Sequence, residues 1–246
     1  MKLRRVLIAV AAVFGFAHSA LAGTVGGPVP TFSLAIGSDV PGSTLSLSPT
    51  LTANGDGTYS ASGTQEIGGA YSILFDFTLN PDPSIAGSFT LTSLSSSTQT
   101  FSVSATLGGV TVGGPSRVGG AFGEVTYRDL NDSTVGIGAN PFYSARIDGN
   151  EIQPLGSFTF APIAGGPGIT LTQGAESFGD PIPNQAGPGV TSSIGVAFGF
   201  ELTGMDRIAL QHFEFVVVPE ASELALFAIC LALILCRFAR ERPSSR

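Results

Sequence analysis

YSILFDFTLN, Tyr71 to Asn80, is the stretch on which the fold class turns. Tyr71, Ile73, Phe75, Phe77 and Leu79 take every second position, with Ser72, Leu74, Asp76 and Thr78 between them. A period of two puts one set of side chains on each face of a pleated strand, so this stretch predicts a half-buried β-strand. Asn80-Pro81-Asp82-Pro83 follows at once, and proline can neither donate to a ladder nor leave its predecessor helical, which ends the strand there.

The pattern recurs along the chain. Phe101, Val103, Ala105 and Leu107 alternate with Ser102, Ser104 and Thr106, and Ile194, Val196, Phe198, Phe200 and Leu202 alternate with small residues and Glu201. Asn54-Gly55-Asp56-Gly57 has the chemistry of a tight hairpin turn between a Leu45-Leu47-Leu51 run and Thr58-Tyr59-Ser60. Short strands with turns between them predict an all-β body, an antiparallel β-sandwich, with a jelly-roll-like variant equally compatible. Pro49 is expected at an edge or a bulge. The glycine-rich stretches Gly108 to Gly123 and Ala164 to Gly189 are expected to be long loops.

The two ends differ from this body. Lys2, Arg4 and Arg5, then an apolar core from Val6 to Ala17, then Ala20-Leu21-Ala22 have the order of a secretory signal peptide over 1–22, cut after Ala22. Without the ends, Gly23 to Pro219 holds four arginines, no lysine and fifteen acids, a net charge of −11. That balance offers no footprint for nucleic acid, which needs several phosphate-neutralising cations. Both cysteines, Cys230 and Cys236, lie outside the body, so it is not a disulfide-stapled scaffold. The expected body, 23–217, is long enough to bury its own core as one domain or two packed lobes.

Catalytic constellations are sparse in the body. No G-x-S-x-G elbow, dinucleotide fingerprint or phosphate loop opens a helix. The body's one histidine, His212, alternates onto the same strand face as Glu214; the two could orient each other or bind a metal, or simply form a solvated face. Paired carboxylates such as Glu124 with Asp129 would suit a polysaccharide hydrolase, which needs two acids about 5 to 10 Å apart. There is no tryptophan to stack on a sugar, leaving Tyr59, Tyr71, Tyr127 and Tyr143 as candidate platforms or core residues. No cofactor motif is present. Calcium is the one ion the loops suggest, through the oxygen donors Asn54, Asp56, Asp82, Asp129, Asn131 and Asp132, although none completes a calcium-loop spacing. Asn131-Asp132-Ser133 fits the N-glycosylation pattern.

The tail, 218–246, has three parts in fixed order. Val218-Pro219-Glu220-Ala221-Ser222 is followed by an uncharged apolar run from Leu224 to Cys236 and then by Arg237, Arg240 and Arg242. Thirteen helical residues rise about 20 Å. Extended to about 222–239, with arginines snorkelling, the run is expected to span a bilayer as a single transmembrane helix. Positive charge stays on the cytoplasmic side, which places the body outside. This order resembles the PEP-CTERM sorting signal of Gram-negative bacteria, with Ala221 where the usual motif has its second proline. The resemblance implies recognition by exosortase, export through signal peptidase and the general secretion machinery, a transient stay in the inner membrane, cleavage near the motif, and delivery to the envelope, cell surface or extracellular polysaccharide matrix. It implies no reaction for the body. The reading is therefore a non-enzymatic structural or adhesive protein. The alternatives are an envelope polysaccharide hydrolase and an uncleaved tail-anchored surface protein.

Overall fold

A computed structural model of the chain describes residues 29–130, 135–139, 141–163 and 168–220, with only the backbone of 135–139 and 158–163. These residues form strands and turns, with no helix among them. The expected signal peptide, transmembrane helix and basic tail, and with them Ala20, Ala22, Ala221, Ser222, Arg237, Arg240 and Arg242, lie outside the described residues. So do Asn131, Asp132 and Ser133.

Strands are numbered in chain order. One six-stranded sheet runs β12 (Asn150–Leu155), β11 (Tyr143–Ile147), β17 (Ser193–Leu202), β7 (Gln99–Gly108), β1 (Thr31–Ser38), β2 (Leu45–Leu47). The larger sheet runs β14 (Thr170–Gln173), β9 (Val125–Arg128), β18 (Arg207–Pro219), β6 (Ser84–Ser93), β5 (Tyr71–Asn80), β4 (Tyr59–Ile67), β3 (Thr52–Ala53). β8 (Ser116–Phe122) joins it beside the second half of β18, and carries β15 (Glu176–Phe178) and β16 (Gln185–Gly187) on its other side. β10 (Val135–Ala139) and β13 (Phe158–Ile163) form a separate ribbon. The ladders are antiparallel throughout, as short turns between successive strands require.

The expected alternation sets the core. Tyr71, Ile73, Phe75, Phe77 and Leu79 on β5, Phe101, Val103, Ala105 and Leu107 on β7, and Ile194, Val196, Phe198, Phe200 and Leu202 on β17 are all buried. Rings from the two sheets meet between them: Phe32 with Phe77 at 5.4 Å, Tyr71 with Phe101 at 5.7 Å, Phe89 with Phe198 at 5.1 Å and Phe198 with Phe213 at 5.1 Å, all tilted or edge-on as ring quadrupoles prefer. The result is an all-β, sandwich-like body with the core between its sheets. Asn80 pairs with Ser84 across Pro81-Asp82-Pro83, so that run is the β5–β6 turn. Pro49 lies between the edge strands β2 and β3, where the chain leaves one sheet for the other.

Two expectations need correction. The stretch from Gly108 to Gly123 is not one long loop, because Ser116–Phe122 is the buried strand β8, paired on both sides. The second glycine-rich stretch likewise contains β14, β15 and β16. Glycine is used there for close approach: a Cβ on Gly119 would stand 2.9 Å from the Cα of Pro183.

Candidate functional site

The start of the tail motif is built into the body. β18 pairs with β6 as far as Val216 opposite Ser84, and the Val217 amide still reaches the Pro83 carbonyl at 3.0 Å. Beyond that point, among the described residues, β8 alone pairs with the strand, with Val218 opposite Arg117 and Pro219 opposite Ser116. The Glu220 amide donates to the Pro115 carbonyl at 3.1 Å. Arg117 Nη2 meets Glu220 Oε1 at 2.6 Å, and Arg117 Nη1 donates to the Asn184 carbonyl at 3.1 Å. Of the five motif residues, Val218, Pro219 and Glu220 thus sit on one corner of the large sheet.

A second polar centre was not singled out in the sequence. Asp148 and Gly149 form the two-residue turn between β11 and β12, and both have positive φ, 51° and 80°. This is the backbone that Asp-Gly adopts in a tight hairpin, so the dipeptide itself was the available signal. The Asp148 carboxylate accepts from the amides of Thr191, Ser192 and Ser193 at 2.8 to 3.0 Å and from the hydroxyls of Thr191 and Ser192 at 2.7 and 2.9 Å. Burial alone would push its pKa up, but the bonds from Thr191, Ser193 and Ser192 outweigh burial and hold it well below the usual carboxylate range. Asp148 therefore fastens the β11–β12 turn to the start of β17. Asp148→Ala is expected to cost about 1 to 2 kcal/mol at pH 7, since five bonds are lost at a site that water partly screens. A depressed folded pKa stabilises above the unfolded value of about 3.9 and stops doing so as pH falls through the folded value. Urea titrations of wild type and Asp148→Ala should therefore differ most at neutral pH and converge below about pH 4.

The candidate acid pair does not form. Glu124 and Asp129 flank β9, where Val125 and Tyr127 face inward and Thr126 and Arg128 outward; Glu124 is exposed and Asp129 buried. Alternation thus sends the two carboxylates to opposite faces, at a separation of about 16 Å along the strand. Asp129 instead comes opposite Asp206, because Arg128 pairs with Arg207 one position away. Both acids are buried. Burial pushes the Asp206 pKa up, the bond from the Thr203 hydroxyl opposes this, and Asp129 raises it further. Among the described residues no group of three or more His, Cys, Asp or Glu side chains could hold a metal. Asn54 and Asp56, two of the calcium candidates, bond to Thr58 and Ser60 within their own turn.

His212 and Glu214 do share the outer face of β18, with His212 inside the bulge between Leu210 and Phe213, and no hydrogen bond or ion pair joins them. The same face carries a shallow groove of about 610 Å³ across β4, β5, β6 and β18, lined by Ser62, Thr64, Leu74, Asp76, Ser88 and Gln211 among others. Its chemistry is hydroxyl, amide and one carboxylate around an exposed leucine, a surface suited to hydrogen bonding. None of the four tyrosines serves it as a platform, since Tyr71, Tyr127 and Tyr143 are buried in the core and Tyr59 is packed against it.

The sequence matches no protein-family model, and no curated protein matches it.

Proposed function

We propose that this chain is an exported envelope or matrix protein that exosortase sorts by its tail, and that its β-sandwich body, jelly-roll-like in style, does structural or adhesive work rather than catalysis. The signal peptide delivers the body through the secretion machinery, and the tail helix holds it in the inner membrane until the motif is processed. One observation carries the reading furthest. The body ends as a continuous strand in the middle of its large sheet, and that strand runs into Pro219 and Glu220 with no linker. The groove supports an adhesive role, with hydroxyls and Asp76 available to a polysaccharide.

Intact-mass spectrometry of the protein from the cell surface and medium of an exosortase-containing host tests this. The expected mature chain begins at Gly23 and ends near Pro219 to Ser222, without Arg237, Arg240 and Arg242. A surface chain still ending at Arg246 overturns the sorting reading and favours the tail-anchored one.

A further inference from the structure

We propose that Arg117 is a latch that holds the start of the tail motif against the body, so that Pro219 and Glu220 must peel from β8 before the tail can be cut. The inference rests on the sorting reading above. A protease needs its target extended and with free backbone groups, whereas here the segment is already a strand partner.

The local geometry shows how small the hold is. Past Val216 the strand loses β6, and proline at 219 contributes no donor. What remains is the β8 register at Val218 and Pro219, the Glu220 amide on the Pro115 carbonyl, and the Arg117–Glu220 ion pair. Arg117 is anchored independently of the tail, because its other terminal nitrogen is bonded to the Asn184 carbonyl and its backbone in β8 is paired on the far side with β16, Ala186 opposite Arg117. The guanidinium is thus held in place to receive the Glu220 carboxylate. The tail, by contrast, can leave without disturbing the core, since the last fully buried residue of β18 is Val217. The ion pair is partly exposed, its side chains 41% and 34% accessible, which makes the latch weak enough to open.

The latch also competes for a residue of the motif. Glu220 cannot be bound by Arg117 and by a processing enzyme at once. Removing the guanidinium should then speed processing by roughly two- to five-fold, the range set by an exposed ion pair.

The test follows tail loss by pulse-chase in an exosortase-containing host for the wild-type full chain, Arg117→Met and Arg117→Lys. Methionine keeps an apolar stem without the charge. Expected are a half-time two- to five-fold shorter for Arg117→Met and an intermediate one for Arg117→Lys. Hydrogen exchange of the detergent-solubilised full chain supplies the second measurement, with faster exchange at Val218 and Glu220 and unchanged protection in β5 and β7. Equal or slower tail loss in Arg117→Met overturns the latch while leaving the sorting reading intact. Unchanged exchange at Val218 and Glu220 overturns it too. A wild-type chain that is never cut removes the sorting reading, and the latch with it.

Discussion

Replacing Phe198 with alanine should lower the unfolding free energy by about 4 kcal/mol. Phe198 projects from β17 and is 1% exposed. Its ring lies 5.1 Å from Phe89 on β6 and 5.1 Å from Phe213 on β18, and 5.5 and 5.6 Å from Phe142 and Tyr143 on its own side. Truncation therefore removes apolar transfer energy, leaves a cavity between two sheets that cannot collapse without bending, and breaks several ring pairs together. Total stability for a domain is about 5 to 15 kcal/mol, so this one change threatens the fold. Guanidinium unfolding followed by circular dichroism gives the measurement, as the chain has no tryptophan to report. A cost below about 1 kcal/mol would show that Phe198 does not join the sheets.

Alanine at Gly120 is expected to cost about 3 kcal/mol, for a different reason. An added Cβ would lie 2.6 Å from Tyr143 Oη, 2.7 Å from Phe178 Cε1 and 3.0 Å from the Glu214 carbonyl. Tyr143 is fully buried, and its hydroxyl crosses between the sheets to donate to that same carbonyl at 3.0 Å. The phenol cannot withdraw without leaving a buried hydroxyl unbonded. Overpacking and a lost hydrogen bond thus arise from a single methyl group. The assignment is checked by a double-mutant cycle: in a Tyr143→Phe background the nearest obstructing atom is gone, and Gly120→Ala should cost about 1 kcal/mol less. Additive costs would mean that the hydroxyl is not what the glycine accommodates.

Much of the fold was legible because alternation is a local consequence of the pleat. The runs at Tyr71–Asn80, 101–107 and 193–202 each became a strand with the expected face inward. The turn at Pro81-Asp82-Pro83 followed from proline alone. β8 was missed because Gly119 and Gly120 look like loop residues, and what fills the space beside them is distant in sequence, Ile182 and Pro183 at Gly119 and Tyr143 and Phe178 at Gly120. Less of the candidate site could be read. Glu124 and Asp129 are near in sequence yet face apart, while Asp129 and Asp206 are distant in sequence and meet across a ladder.

By itself the sequence determined the strands at Tyr71–Asn80, 101–107 and 193–202, which face of each is apolar, and that the body is acidic and free of lysine and cysteine, because these depend on the residues and their immediate neighbours. Only the tertiary structure decided which strands pair, that Asp148 receives five hydrogen bonds, and that Arg117 meets Glu220. Each of those contacts joins residues far apart along the chain, and strand pairing within a sheet brings them within reach, β8 beside β18 for Arg117 and Glu220 and β11 beside β17 for Asp148.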